Sequence, residues 1–387
     1  MRDKKCLDVL TVTSNDLGIS WGPAIHYLEL WNEAVQLKGA PIRIQGIAPS
    51  WTGRCTIRDP AFPLKIIKVP SIRRFRQVFY DVVLSISTLA RMTRVDVVYI
   101  RLSHWHLFIF FLLMISKKFF VVELNGLALE DSRSSRNKKI ISWLVSRQEK
   151  WLVENADVNI CVSNGIKRSI SARYNLKGRS FTVLNGVSEQ FFKKESSSEN
   201  LVPINKLKIL YVGTFTPWDG AGDIIDLAEH FPEVDFLMVG DGDLRGAMEK
   251  NAPANVAFLG KVEYSALPDI YKKAHAGIVL YEFERHRNVE VSSIKTLEYV
   301  ASELPVFTTD VPGQEFIKQE KIGYLLGESE CLIKAFSDFI KDIALYKESY
   351  TGKKEKFKSQ FGWRRTARET IGCIKNVFDD PLVDKKT

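Results

Sequence analysis

Short, nearly continuous apolar segments alternate along this chain with longer segments in which apolar residues recur every three or four positions. Continuous apolar runs of about four to eight residues are typical of strands covered on both faces, whereas the second spacing is typical of helices. The strand-like runs lie at residues 7–12, 42–48, 95–101, 119–124, 156–163, 182–187, 208–213, 234–239, 256–262, 276–281 and 306–309. The alternation predicts an α/β protein with parallel, doubly wound sheets.

A length of 387 residues predicts two domains, because a single core rarely extends over so long a chain. Residues 195–200 form the one polar, low-complexity segment and are the predicted linker. The predicted domains are therefore residues 1–195 and 205–358, followed by a C-terminal helix within residues 359–380.

The charge of the chain is unevenly distributed. The net charge is +9, but residues 1–195 hold 30 Lys and Arg against 16 Asp and Glu, so the basic excess lies in the first domain. A basic surface favours an acidic partner. We expect an anionic membrane face rather than nucleic acid, because no nucleic-acid-binding module is visible in the sequence.

No segment reaches the length of a membrane span. The longest uninterrupted apolar run, residues 107–115, has nine residues, whereas spanning needs about 20, so we expect a buried helix there. The first residues lead directly into a strand without a secretory leader pattern. This predicts a cytoplasmic protein, with peripheral attachment to the inner face of the membrane left open. The five cysteines are far apart and predict reduced packing residues.

Residues 290–301 contain two carboxylates separated by seven residues, Glu290 and Glu298. Ser293 is a suitable N-cap, and the apolar spacing that follows predicts a helix beginning near it. Glu290 then precedes the helix and Glu298 lies within it. Unpaired amides and the dipole at a helix N-terminus favour an anion. The spacing suits a phosphate between one carboxylate that holds a sugar and another that holds a ribose.

This motif resembles the corresponding region of retaining GT-B glycosyltransferases. The resemblance extends through the strand-like residues 306–309 to Gly313 and Glu315. That family includes sucrose synthase and many bacterial sugar transferases. The resemblance implies two Rossmann-like domains facing each other across a cleft, and a final helix that crosses back to the first domain. It also implies transfer of a hexose from a nucleotide diphosphate sugar to an acceptor hydroxyl, with retained anomeric configuration and with no metal or other cofactor.

The resemblance also assigns roles to the residues of the motif. Glu290 would hold the sugar hydroxyls and Glu298 the ribose hydroxyls. The amides of Ser292, Ser293 and Ile294 would bind the diphosphate. No residue is expected to act as a covalent nucleophile.

One loop departs from the family pattern. Many relatives carry an Arg and a Lys in the loop equivalent to residues 214–220, where this chain has Thr214 and Asp219. An aspartate repels phosphate, so another cation is required. Lys295 is the first candidate, since related motifs often have a lysine three residues before the second glutamate; a solvated helix lysine is the competing interpretation. The other cations nearby are Arg285, His286 and Arg287.

Glycines at predicted strand ends extend the donor site. Their spacing in the first loop is not Gly-x-Gly-x-x-Gly, which argues against a dinucleotide oxidoreductase. The further predicted donor-binding residues are Gly18, Gly22, Gly213, Thr214, Gly240, Lys261 and Val262. Ordinary turn glycines remain the alternative for the first loop. Asp241 and Asp243 imitate a metal-binding pair, but we favour a glycine turn at the end of a strand.

Polar residues at the ends of the first domain's strands are candidates for the acceptor side, because functional groups of open α/β sheets collect at carboxyl ends. These residues are Arg101, His104 and Glu123. Asn125 stands where several relatives have a histidine, and joins Glu290 and Lys295 as a predicted catalytic residue.

Residues 72–89 show a second amphipathic pattern, with apolar residues that include Phe79, Val82, Ile86 and Leu89 at spacings of three and four. Arginines occupy other positions. We favour a helix that packs this apolar face on the sheet. The alternative is a helix in a membrane interface, with its arginines on anionic headgroups.

The predicted function is sugar transfer in bacterial cell-surface polysaccharide or glycolipid synthesis, with a glycan or lipid-linked acceptor. Two alternatives stay open. One is a catalytically altered nucleotide-sugar-binding or membrane-surface scaffold, and the other is a nucleotide-sugar epimerase.

Overall fold

The computed structural model describes residues 6–18, 22–39, 42–69, 73–102, 107–126, 139–193, 206–216, 220–287 and 290–380. The chain forms two compact units. Unit 1 consists of Met1–Asn185 and Trp363–Thr387, and unit 2 of Gly186–Gly362. His104, the predicted linker at residues 195–200 and Asp219 lie outside the described residues.

Unit 1 is built on seven strands: β1 (Leu7–Val12), β2 (Ile42–Ser50), β3 (Leu64–Lys68), β4 (Val97–Arg101), β5 (Phe119–Leu124), β6 (Val158–Cys161) and β7 (Arg179–Thr182). Their order is β3-β2-β1-β4-β5-β6-β7, and the described pairings are parallel. Its first helices are α1 (Gly22–Val35), α2 (Arg73–Met92), α3 (Leu107–Ser116), α4 (Lys139–Asn155) and α5 (Asn164–Arg173).

Unit 2 is built on six strands: β8 (Leu207–Thr214), β9 (Val234–Asp241), β10 (Val256–Gly260), β11 (Ala276–Val279), β12 (Val306–Thr309) and β13 (Gly323–Leu326). Their order is β10-β9-β8-β11-β12-β13, again parallel. Its helices are α6 (Ala221–His230), α7 (Arg245–Asn251), α8 (Leu267–Tyr271), α9 (Phe283–His286), α10 (Ile294–Ala301), α11 (Glu315–Gln319), α12 (Leu332–Lys341), α13 (Ile343–Glu348) and α14 (Lys354–Phe361). Short 3-10 helices lie at Glu189–Phe192 and Tyr264–Ala266.

Each sheet is covered by helices and has its own apolar core. Leu10, Val98 and Val122 belong to the core of unit 1, whereas Phe236 and Phe307 belong to that of unit 2. The predicted pair of doubly wound parallel sheets is confirmed. Parallel strands buried on both faces explain why the strand-like runs of the sequence are continuous rather than alternating.

Three strands differ from the prediction. β3 and β13 were not predicted: two of the five residues of β3 are lysines, and β13 is only four residues long. The strand predicted at residues 182–187 lies earlier, at β7. Among those residues, Val187 instead forms an isolated bridge with Gly362 in unit 2.

The last helix, α15 (Trp363–Phe378), packs in unit 1 against α1. Trp363 is buried, and its ring meets the ring of His26 edge-on at a centroid distance of 4.8 Å. The Thr366 hydroxyl and the Arg365 guanidinium donate to the carbonyl of Leu184 at 3.0 and 3.1 Å. Unit 1 is therefore assembled from both ends of the chain.

The expectation that α2 packs its apolar stripe on the sheet is wrong. Phe79, Val82, Ile86 and Leu89 are exposed. The buried face of α2 includes Tyr80, whose hydroxyl donates to the carbonyl of Thr13. Sequence periodicity locates an apolar face but does not say which partner covers it.

The expectation of a buried helix at residues 107–115 is wrong for one face of that helix. Ile109 and Leu113 are buried in the core of unit 1, but Phe111, Met114 and Ile115 on α3 are exposed. Among the described residues, no helix is both long and apolar enough to cross a membrane.

Candidate functional site

The strand order of unit 2 reverses between β8 and β11, since the chain runs outward from β8 to β10 and then continues from β11 to β13. In open α/β sheets, ligands bind outside the carboxyl ends of the strands at such a reversal. β8 ends at Thr214, and α10 begins at Ile294, on the segment that connects β11 to β12. The predicted donor site falls at this position.

The N-terminus of α10 has the cap that the sequence predicts. The Ser293 hydroxyl accepts from the Thr296 amide at 3.2 Å. The amides of Ser293 and Ile294 have no acceptor among the residues that the structure describes. Residues 290–295 are half-buried rather than covered. These amides are therefore available to an anion at the positive end of the helix dipole.

Lys295 extends from α10 to the end of β8. Its Nζ lies 5.4 Å from the centroid of the Tyr211 ring, and a Cβ added at Gly213 would lie 2.9 Å from it. The ammonium group thus lies beside the backbone of Gly213, close to the loop in which the family pattern expects cations. This placement fits the predicted compensating cation; the phosphate contact itself stays a prediction.

α10 is fixed against β8 and β11 by Tyr299. A Cβ at Gly277 would lie 2.4 Å from Cγ of the Tyr299 ring, so the ring packs directly on the backbone of β11. The Val212 amide donates to the Tyr299 hydroxyl at 2.9 Å. This contact sets the distance between α10 and β8, and hence the position of Lys295 beside Gly213.

The loop that carries Glu290 is held from the other side. The Val291 amide donates to the Pro312 carbonyl at 2.7 Å. Gly313 has φ +97°, and a Cβ there would lie 2.3 Å from the Val291 carbonyl oxygen. Only glycine fits this approach. Glu290 is therefore held on a loop braced by the segment that follows β12.

The ends of β8 and β9 approach each other closely. Gly213 and Gly240 are register partners, and Gly240 has φ +131°. A Cβ at Gly240 would lie 1.8 Å from the Gly213 carbonyl oxygen. Thr214, the next residue, is exposed. Close approach of the two strands therefore explains Gly240, whereas Gly213 leaves room for the Tyr211 hydroxyl and the Lys295 ammonium. The donor contacts of both glycines stay predictions.

Asp241 and its neighbours form an ionic turn beside these glycines. The Gly242 amide donates to Asp241 Oδ1 at 3.0 Å, and Lys261 Nζ lies 3.4 Å from Oδ2. The hydrogen bond from the Gly242 amide has the largest effect and lowers the pKa of Asp241. Lys261 and Arg245 lower it as well. These contacts favour the turn interpretation of Asp241. Of the two predicted donor residues that follow, Lys261 is exposed and pairs with Asp241, and Val262 is half-buried.

Glu298 lies one helical turn beyond Lys295 and is buried. The Tyr271 hydroxyl donates to its Oε2 at 2.8 Å. Burial, and then the neighbouring Glu298 carboxylate, raise the pKa of Tyr271, so the phenol stays a donor. The hydrogen bond fixes the orientation of the Glu298 carboxylate; its contact with a ribose stays a prediction.

The polar residues predicted at strand ends in unit 1 form a separate cluster around Glu123. Glu123 is buried and accepts hydrogen bonds from Tyr99, Arg101 and Asn125. His26 Nε2 lies 3.0 Å from Glu123 Oε1. The structure thus brings together three predicted residues: Arg101, Glu123 and Asn125. Only Asn125 is exposed.

Opposing effects act on this cluster. Burial raises the pKa of Glu123. The charges of Arg101 and His26 and the hydrogen bonds lower it by a larger amount, so the pKa is well below the usual value. Burial and Arg101 lower the pKa of His26. The cluster therefore holds an ionised Glu123 beside Arg101. This ion pair orients Asn125, whose Nδ2 donates to Glu123 at 2.7 Å.

The two glycines of the first loop differ. The Gly18 amide donates to Asp16 Oδ1 at 2.8 Å, and a Cβ at Gly18 would lie 2.7 Å from Ser50 Oγ. Gly22 begins α1, and a Cβ there would meet no described atom within 4 Å. Close packing against Ser50 explains why a glycine occupies position 18, whereas a larger side chain would fit at position 22. The donor contacts predicted for both glycines stay predictions.

Several supporting residues were not predicted. Tyr271, Tyr299 and His26 lie within apolar helical patterns that indicate core positions. Gly277 carried a usable signal, because a lone glycine inside a strand often marks a close approach. Gly313 was part of the recognised motif, but its contact with Val291 was not predicted.

Comparison with known proteins shows which family models the sequence matches. The sequence matches two family models, one described as Glycosyltransferase Family 4 over residues 25–191 and one described as Glycosyl transferases group 1 over residues 206–342. Together these two matches span more than half of the chain. Among curated proteins, none matches it.

Solved structures share the fold over nearly the full length. Sucrose-phosphate synthase from Thermosynechococcus elongatus superimposes with a TM-score of 0.77 at 16% identity, covering 96% of this chain and 99% of that one. Anabaena HepE in complex with UDP-glucose gives 0.68 at 14% identity, with 96% and 100% covered. WaaG, a glycosyltransferase involved in lipopolysaccharide biosynthesis, gives 0.63 at 14% identity, with 97% and 100% covered.

Two parallel α/β units with these structural neighbours define the GT-B fold. Both family models describe glycosyltransferases. The chain is therefore a GT-B glycosyltransferase, with a family 4 match in its first part and a group 1 match in its second.

Proposed function

We propose that the protein transfers a hexose from a nucleotide diphosphate sugar to an acceptor hydroxyl, with retention of anomeric configuration. The observation that carries the proposal is Lys295 Nζ beside Gly213, next to the capped N-terminus of α10. Positive charge from these two sources converges at the β8–β11 reversal, where an anionic ligand is expected. HepE, which shares the fold, is in complex with UDP-glucose, and this supports a nucleotide sugar as donor.

In the proposed reaction, the acceptor oxygen bonds to the anomeric carbon while the bond from that carbon to the phosphate oxygen breaks. The hydroxyl proton leaves with the diphosphate. Negative charge grows on the leaving diphosphate, and Lys295 and the amides of Ser292, Ser293 and Ile294 stabilise it. Fixed donors aimed at developing charge are usually the largest contribution to catalysis. This arrangement needs no metal ion.

Glu290 and Glu298 have separate roles in this proposal. Glu290, on its braced loop, holds the sugar hydroxyls. Glu298, oriented by Tyr271, takes the ribose hydroxyls. In unit 1, Asn125 contacts the acceptor, and the ion pair of Arg101 and Glu123 orients Asn125. The acceptor is a glycan or lipid-linked sugar of cell-surface polysaccharide or glycolipid synthesis; the role of WaaG in lipopolysaccharide biosynthesis supports this class.

The direct test combines binding and turnover. UDP, GDP, ADP and dTDP are each added in a thermal-shift assay, since a ligand that binds the native state raises its stability. Release of the nucleoside diphosphate from the matching sugar donor is then measured with and without acceptors. Acceptor-dependent release supports transfer. Binding without turnover across a broad acceptor panel supports the scaffold alternative, and interconversion of donor sugars supports an epimerase.

Replacing Lys295 with alanine is expected to raise the Kd of the nucleoside diphosphate by about tenfold or more, because a charge-assisted hydrogen bond contributes about 1.5–3 kcal/mol. Isothermal titration calorimetry measures the change. Lys318→Ala, which removes an exposed lysine from α11, is the matched control and leaves the Kd unchanged. A Kd for Lys295→Ala within twofold of the parent would exclude the lysine from phosphate binding.

A further inference from the structure

One part of the surface of unit 1 carries a concentration of apolar side chains. Among the described residues, seven of the twelve exposed large apolar side chains lie on α2 and α3. Four of them, Phe79, Val82, Ile86 and Leu89, form one stripe along α2. Ile86 is 64% exposed, a large value for a residue with no polar atom in its side chain. Clustered exposure of this kind marks an interaction surface.

The other three are on α3, which contacts α2. They are Phe111, Met114 and Ile115, and Ile115 is 73% exposed. Both helices precede neighbouring parallel strands, β4 and β5, so they end at the same edge of the sheet. We call the seven exposed residues the α2–α3 face.

Cations surround the end of this face. Arg91 lies in the last turn of α2, Arg94 follows that helix, and Lys117 and Lys118 follow α3. Arg94 and Lys117 are exposed and form no ion pair with a residue that the structure describes. From residue 79 to residue 118 the sequence has two acidic side chains: Asp81, which is buried, and Asp96, which accepts from the Asp8 amide at 3.0 Å. The charge beside the apolar residues is therefore positive.

We propose that the α2–α3 face docks on an anionic lipid surface. The apolar side chains enter the boundary between headgroups and acyl chains, and Arg94 and Lys117 contact anionic headgroups. An apolar face with a basic rim is the pattern of a helix that lies in a membrane interface. A second copy of the chain would place the same cations opposite one another, which disfavours that occupant. The proposal concerns a surface apart from the donor site and does not depend on the proposed reaction.

The test is co-sedimentation of the full chain with vesicles of phosphatidylcholine alone and of phosphatidylcholine with phosphatidylglycerol. Binding is expected only to the anionic vesicles and falls as salt is raised, because exposed charges are screened within about 8 Å at physiological ionic strength. The variant Ile86→Ser/Ile115→Ser is expected to weaken binding by about a hundredfold or more, since two apolar side chains no longer enter the bilayer. Arg94→Gln/Lys117→Gln is expected to weaken it by about fivefold for each charge removed.

Leu345→Ser is the matched control. Leu345 lies on α13 in unit 2 and is 61% exposed, so its loss changes exposed apolar area elsewhere and leaves vesicle binding unchanged. Thermal melting and nucleotide binding of each variant confirm that the fold and donor site are intact. Equal binding to neutral vesicles, or no binding to either kind, overturns the proposal. So does a concentration-dependent dimer that Ile86→Ser/Ile115→Ser disrupts without any lipid binding.

Discussion

Replacing Glu290 with glutamine is expected to lower kcat by about 10²–10³-fold, the usual cost of removing one group that stabilises a transition state. The amide keeps the shape of the side chain but not its negative charge, which the sugar needs as positive charge develops at the anomeric carbon. The nucleoside diphosphate does not contact Glu290 in the proposed arrangement. The Kd of the nucleoside diphosphate is therefore expected to stay within about twofold of the parent value, and the loss of activity appears in kcat.

The measurement is steady-state release of nucleoside diphosphate together with calorimetric binding. Glu284→Gln, an exposed carboxylate on α9, is the matched control and leaves both quantities unchanged. A Glu290→Gln enzyme that retains a tenth or more of the parent kcat contradicts the assigned role. An equal loss of nucleotide affinity would indicate a disturbed loop instead, because Val291 holds that loop on Pro312.

Replacing Glu123 with glutamine is expected to lower the free energy of unfolding by about 3–5 kcal/mol, because it leaves the buried guanidinium of Arg101 without its anionic partner. The sign of the pH dependence follows from the lowered pKa of Glu123. The ion pair stabilises the fold above the carboxyl's unfolded pKa, and this contribution is lost as the pH falls toward its folded pKa. The difference between parent and variant is therefore full at neutral pH and shrinks in acid.

Urea unfolding at several pH values measures this difference. Asp59→Asn changes an exposed carboxylate of unit 1 to an amide, and is expected to cost less than about 0.5 kcal/mol. Tyr99→Phe removes one hydrogen bond to the charged Glu123, and is expected to cost about 1.5–3 kcal/mol. A Glu123→Gln loss below that of Tyr99→Phe would show that Arg101 does not depend on the carboxylate.

The local structure around the proposed donor site was largely predictable from sequence. The start of α10, its Ser293 cap and the glycines at the ends of β8 and β9 follow from local signals, namely capping residues and the turn that ends an apolar run. The placement of Lys295 beside Gly213 is different, because it depends on Tyr299 packing over Gly277, a contact between distant segments. No local sequence pattern predicts the distance between Lys295 and Gly213.

The Glu123 cluster and the α2–α3 face were harder to predict for two separate reasons. His26, Arg101 and Glu123 come from α1, β4 and β5, so their meeting depends on strand order rather than on sequence spacing. The stripe on α2 was visible in the sequence, but amphipathic periodicity is the same whether the partner is a sheet or a lipid surface. The exposure of these side chains in the structure shows only that the sheet does not cover them.

The assembly of unit 1 from both ends of the chain has a consequence for biosynthesis. Residues 1–185 emerge from the ribosome first, yet Trp363, which covers His26, is translated only after all of unit 2. Unit 2 is continuous in sequence and can close its own core earlier. The nascent protein must therefore carry an unfinished first unit, with the α1 surface uncovered, until the last helix is released.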